Sequence, residues 1–145
     1  MKAAIEVVDW SGRRKDLLAI RYAVFVEEQG VPIELEHDAH DQRALHLIVT
    51  APDGQLIGTA RMLPDGHVGR MAVLPAWREQ GIGSAMLREL IRIAGENGIK
   101  KLFLNAQCEA EAFYRRLGFS AEGGIFVDAG IEHRRMRMQL AGKDV

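Results

Sequence analysis

Arg78-Glu79-Gln80-Gly81-Ile82-Gly83-Ser84 is the stretch that decides how the rest of the chain is read. It follows an apolar run, Met71-Ala72-Val73-Leu74, and a Pro75-Ala76-Trp77 corner. It opens directly into the most amphipathic segment of the sequence, residues 82–97. A strand, a glycine loop and a helix N-terminus in that order make an anion cradle. Two glycines let the backbone approach a phosphate group, and the first free N–H groups of the helix, at the positive end of its dipole, point at it. Arg78 adds a fork of donors at the mouth.

Outward from the loop the patterning alternates strands and helices. In 82–97, Ile82, Met86, Leu90 and Ile93 make one line, with Leu87, Ile91 and Ala94 beside it and Arg88, Glu89, Arg92 and Glu96 opposite. That is an amphipathic helix, and Gly98 stands where a C-terminal glycine stop is expected. Upstream, runs 44–51, 55–63 and 67–74 are separated by Pro52-Asp53-Gly54 and Pro64-Asp65-Gly66, which predicts an antiparallel three-strand meander. Residues 4–10 predict a first strand. Ser11 then stands as an N-cap before a helix from 15 or 16 to 28, ended by Gly30 and Pro32. The acidic stretch 31–42 predicts a loop with a short helical turn. Downstream, 101–106 predicts a buried strand, parallel to the strand before the cradle because a helix connects them. A short helix over 109–117 and a final strand pair, 119–127 and 132–140, complete the chain. The fold class is α/β (α+β): one mixed sheet with helices on its faces.

Composition narrows the function classes. The chain has 145 residues, the size of a single domain spanning 1–145, and 48% hydrophobic with 27% charged residues is a globular balance. Nineteen basic residues against twenty acidic ones, with no basic block, argue against nucleic-acid binding. Cys108 is the only cysteine, so no internal disulfide and no cysteine zinc site is expected. The His37, Asp38, His40, Asp41 pattern lacks a fixed ligand spacing, and no metal is expected. The N-terminus is too polar for a signal peptide and no apolar run reaches membrane-spanning length, so the expected location is cytoplasmic, with no membrane partner.

Three phosphate loops compete for the cradle. A Walker A loop requires a Gly-Lys-Ser/Thr run that is absent. A dinucleotide fingerprint requires glycine or alanine where Met86 stands and an acidic residue ending the next strand; both are missing. The third pattern, Arg/Gln-x-x-Gly-x-Gly/Ala, is met by Arg78 to Gly83. With Gly69-Arg70-Met71-Ala72-Val73-Leu74-Pro75 before it, this segment resembles the acetyl-coenzyme A motif of the GNAT N-acetyltransferase superfamily. Asn105-Ala106-Gln107 and Ala112-Phe113-Tyr114-Arg115-Arg116-Leu117-Gly118-Phe119 resemble its second cofactor segment. Arg21 to Gln29 and Gly130-Ile131-Glu132-His133 are similar to the ElaA-like branch. A fainter likeness of Arg21-x-x-Val24-Phe25 to acyl-homoserine-lactone synthases stays within the same fold.

The resemblance implies a GNAT fold: about six to seven mostly antiparallel strands, splayed between the fourth and fifth, with about four helices. It implies acetyl-coenzyme A as donor and a primary amine of a small molecule or peptide as acceptor. The pyrophosphate would sit on the backbone of Gln80, Gly81, Ile82, Gly83 and Ser84, with Arg78 and Glu79 at the mouth and Phe113 and Arg116 from the second segment. Pantetheine would lie along Met71, Ala72 and Val73 and reach Asn105. The Val73 backbone N–H would be the oxyanion donor and Tyr114 the general acid. Glu28 is carried as the base, with Asp38, Asp41, His46 and His133 as alternatives. The acidic run Glu27, Glu28, Glu34, Glu36, Asp38, Asp41 would attract a cationic amine. A covalent route through Cys108 is unnecessary, because direct transfer suffices. A coenzyme A-binding sensor without turnover is the competing class. A homodimer would form by pairing of last strands.

Overall fold

The computed structural model describes residues 3–32 and 39–140. Among the described residues, seven strands form two hydrogen-bonded sheets, β1-β2-β3-β4 and β5-β7-β6, every ladder antiparallel. The strands are β1 Ala4–Val8, β2 Leu45–Thr50, β3 Leu56–Met62, β4 Val68–Val73, β5 Lys101–Gln107, β6 Ser120–Asp128 and β7 Ile131–Gln139. The single sheet expected from the sequence is therefore two halves. They touch through one parallel bridge, His67 to Phe103, and the Phe103 N–H donates to the Gly66 carbonyl at 3.1 Å. Beyond that contact β4 and β5 diverge without a ladder between them, so the splay expected between strands four and five is where the hydrogen bonding stops.

Gly66 makes the contact between the halves feasible. Its φ is +96°, and a Cβ there would lie 2.2 Å from the Lys101 carbonyl oxygen. Backbone cannot yield that distance locally, so only glycine lets the two strands meet. Gly66→Ala is expected to destabilise the fold by about 2–4 kcal/mol, through left-handed backbone strain and overpacking. A urea midpoint unchanged from the wild type would contradict this reading of the joint.

The helices are α1 Trp10–Arg21, α2 Ile82–Glu96 and α3 Glu111–Arg116. α1 begins earlier than its periodicity predicts. Asp9, not Ser11, holds the N-cap position, and Trp10, expected to end the first strand, turns inward as the first helical residue against Leu17 and Ile48. Arg13 is non-helical (φ −129°, ψ 21°), a kink that separates this opening turn from the regular helix expected from 15 or 16. After Arg21 the chain continues as a π-helical segment, Tyr22–Glu28. The wider winding changes which side chains point at the sheets, a feature no 3.6-residue period reveals.

The main core lies between the sheets and α2, whose buried line is Ile82, Met86, Leu87, Leu90, Ile93 and Ala94. Its outer face carries Arg92 paired to Glu89 and Glu96, as the pattern predicts. On the opposite sheet face α1 covers Ile48 and Ala72. There Asp41, fully buried on the 3₁₀ turn Ala39–Gln42, accepts from Arg21 at 2.9 and 3.1 Å and from Arg61 at 2.8 Å. The Arg21 guanidinium also lies 5.6 Å from the Trp10 ring centre. His46, buried on β2, donates from Nε2 to the Asp41 carbonyl at 2.8 Å.

Candidate active site

A cavity of about 540 Å³ opens where β4 and β5 diverge. Tyr114, Met71, Asn105, Gln107, His67 and His133 are among its lining residues. α2 and α3 meet beside it: the position a Cβ would take on Gly83 lies 3.4 Å from the Phe113 ring.

The cradle has the backbone its sequence implies. Gly81 caps α2 with φ +83°, and no heavy atom lies within 4 Å of where its Cβ would be. The first helical bond runs from Ala85 N to Gly81 O at 3.0 Å, so the N–H groups of Ile82, Gly83 and Ser84 face out of the helix end. A pyrophosphate fits this arrangement, since a side chain at Gly81 would fill the same space. Glu79 adopts φ +61°, turning the loop sharply before it. Gln80 folds its amide onto the Ala76 carbonyl at 3.3 Å.

Arg78 does not point at the cradle. Its Nε donates to the Val73 carbonyl at 2.9 Å, and its two terminal nitrogens grip Glu28 at 2.7 and 2.6 Å. The hydrogen bonds from Arg78 hold the Glu28 carboxyl below the usual range, which makes it a weaker base than an ordinary glutamate.

β4 carries a bulge: Thr59 faces Ala72 but Arg61 faces Gly69, three steps on β4 against two on β3, with Arg70 at φ +49°. Beyond the bulge, the Leu74 N–H donates to Ile57 O at 2.9 Å on the β3 side. Alternation along the strand then turns the N–H and C=O of Val73 to the opposite edge, toward the opening. Arg78 takes that carbonyl, and the Val73 N–H points into the gap.

Tyr114 projects from α3 between Phe113 and Phe119, edge-on to both at ring-centre distances of 5.0 and 6.0 Å. Its hydroxyl reaches the Met71 sulfur at 4.0 Å. Burial pushes its phenol up to about 12. Asn105 lines the cavity and accepts from Arg135 Nε at 3.3 Å. Arg116 is exposed on the last turn of α3.

The candidate bases separate clearly. Burial raises the Asp41 carboxyl, but Arg21 and Arg61 together outweigh it and hold it below its ordinary value. His46 is buried beside it, its pKa lowered by burial, and is absent from the cavity lining. Glu34, Glu36 and Asp38 lie outside the described residues. Neither Glu28 nor Asp41 lines the cavity. His133 does line it, with Nδ1 2.7 Å from the Ile131 carbonyl.

The lining also holds residues outside the site expected from the sequence, among them His67 and Gln29. His67 stacks on Phe103 at 4.8 Å, and burial, then Arg61, Arg135 and Arg70, outweigh Asp65 to lower its pKa. The signal that marks it is a histidine in the same run, 67–74, as Met71-Ala72-Val73, four residues before Met71. Gln29, at the end of the π-helical segment, exchanges amide hydrogen bonds with Gln107 at 2.8 and 3.5 Å. Nothing in the local sequence marks that pair.

A mostly antiparallel sheet opened between its fourth and fifth strands, with a glycine cradle at the N-terminus of the helix that follows the fourth strand, has the architecture of an acyltransferase of the acetyl-coenzyme A type. The chain belongs to the GNAT acetyltransferases: the family model described as "Acetyltransferase (GNAT) domain" matches residues 12–140. The uncharacterized N-acetyltransferase YjcF of Bacillus subtilis is 35% identical over 127 residues, covering 84% of this chain and 89% of that one. An acyl-CoA N-acyltransferase from Pseudomonas aeruginosa is 28% identical, with a TM-score of 0.84 over 94% of this chain and 99% of the other. Escherichia coli ElaA, at 24% identity, shares the fold with a TM-score of 0.83 over 94% and 99%.

Proposed function

We propose that this protein moves an acetyl group from acetyl-coenzyme A directly to a primary amine of a small molecule or peptide. The observation that carries the reading is a sheet that opens between β4 and β5 with Tyr114 lining the opening, and an open α2 N-terminus next in the chain after β4. Acetyl-coenzyme A, when bound, supplies the activated acyl group and a thiolate leaving group. The backbone of Gln80 to Ser84 would hold its pyrophosphate, and Met71, Val73 and Asn105 would offer hydrogen bonds along its arm. The Val73 N–H stabilises negative charge on an oxygen placed in the gap, a fixed dipole that needs no rearrangement. The Tyr114 hydroxyl holds a proton for the leaving sulfur, and its 4.0 Å contact with the Met71 thioether supports that role. Glu28 serves as the anchor that aims Arg78 at the Val73 carbonyl, and so is reassigned from base to support.

The experiment is free-thiol release from acetyl-coenzyme A with a panel of polyamines, amino acids, aminoglycosides and lysine peptides. Release above the donor-only blank with at least one amine is expected. Release at the blank level throughout would move the reading to a coenzyme A-binding protein without turnover.

A further inference from the structure

Direct transfer requires a group to take the proton of the attacking amine, and the site residues above leave that role open. We propose that His133 is this general base, an assignment that rests on the acyl-transfer reading and specifies one of its catalytic residues.

Three observations support it. First, His133 and Tyr114 line the same cavity, so a base and an acid share one space. Second, the tautomer is fixed. A carbonyl oxygen only accepts, so the 2.7 Å contact with Ile131 places the proton of the neutral ring on Nδ1 and leaves the Nε2 lone pair as the basic atom. The ring is also held by stacking on Phe126, 5.7 Å away and inclined by 22°. Third, the residues that neighbour the two groups line the same opening. Met71, whose sulfur the Tyr114 hydroxyl reaches at 4.0 Å, and Gln107, the ladder partner of His133, both face it. His67 lies four residues before Met71, just ahead of β4, roughly 13 Å along an extended chain, and stacks on Phe103.

Among the described residues, the other candidates named from the sequence are engaged elsewhere. Glu28 is gripped by Arg78, Asp41 by Arg21 and Arg61, and His46 donates to the Asp41 carbonyl. In the step, the amine nitrogen forms a bond to the acyl carbon and the carbon–sulfur bond breaks, its electron pair going to sulfur. The nitrogen's proton passes to Nε2 of His133, and the sulfur takes a proton from Tyr114. Solvent returns the imidazolium proton to the phenolate, and the products are an amide and a free thiol.

The test uses His133→Gln in the full chain, with His67→Gln for comparison. With whichever panel amine the wild type acetylates, His133→Gln is expected to lower kcat by about 10²-fold or more, while calorimetric affinity for acetyl-coenzyme A stays within about twofold. Long-range proton–nitrogen correlation on the wild type should show neutral His133 protonated at Nδ1. Wild-type kcat in His133→Gln, a loss confined to His67→Gln, or an Nε2–H tautomer each overturns the assignment while leaving acyl transfer intact. If the wild type releases no thiol with any amine, the acyl-transfer reading falls and the role falls with it.

Discussion

Tyr114→Phe is expected to lower kcat by about 10²–10³-fold, the range for removing one preorganised donor, while the affinity for acetyl-coenzyme A changes little. The substitution deletes one oxygen and keeps the ring that packs against Phe113 and Phe119. Its phenol, pushed to about 12 by burial, stays protonated across any working pH near neutrality. That value also limits how the group acts. An ordinary thiol titrates near about 8.5, so in water this phenol would hold its proton more tightly than a thiolate. The apolar surroundings that raise the phenol raise a buried thiol as well. The main contribution is then a hydrogen bond to charge building on sulfur, with transfer completed as the bond breaks. Steady-state kinetics with binding calorimetry checks the split. Equal losses in kcat and affinity would assign Tyr114 to packing instead.

Asp41→Asn carries the largest expected stability effect, a loss of about 3–5 kcal/mol. The side chain keeps its volume, but two buried guanidinium groups lose the carboxylate that they share. Against a typical total of about 5–15 kcal/mol, that approaches global unfolding, and the urea midpoint should fall steeply. The same carboxylate gives the fold an acid limit. Its folded pKa lies below its unfolded value. Its stabilising contribution is therefore complete above the unfolded pKa, near about 3.9, and is lost as pH falls through the lower, folded pKa. The Asn variant should lack that part of the acid transition. An Asn variant as stable as the wild type would show that the cluster contributes register but little net free energy.

The elements with a clear period and a punctuating turn were legible in the sequence. The meander of β2, β3 and β4, the buried stripe of α2 and the final strand pair all lie where alternation and glycine turns place them. What escaped depends on contacts between distant residues. Trp10 enters α1 because Leu17 and Ile48 cover it, and a local pattern sees only an apolar residue at the end of a strand. The π-helical segment has no period that distinguishes it from the α-helix before it. The glycines of the loop marked the open N-terminus of α2, and the gap between the fourth and fifth strands followed from the family resemblance that the loop carries. Side-chain roles were harder to read. Arg78 and Glu28 are fifty residues apart in the chain, and only the fold shows that each occupies the other. The acidic run reads as one feature in the sequence, and only the fold shows that its Asp41 is neutralised by Arg21 and Arg61 on other elements.

The central claim, that the N-terminus of α2 holds the donor's pyrophosphate, has a direct test in Ser84→Asp. Ser84 is the third residue of the helix, and an acidic side chain there favours the helix itself by about 0.3–1 kcal/mol. The same charge repels a bound pyrophosphate, by about 1–3 kcal/mol at an intermediate effective dielectric. Fold and ligand therefore respond with opposite signs. Calorimetric titration with acetyl-coenzyme A, paired with a thermal melt, should show affinity reduced about tenfold to a hundredfold and a melting temperature equal to or above that of the wild type. Unchanged affinity in a variant that melts no lower would place the pyrophosphate elsewhere and contradict the account.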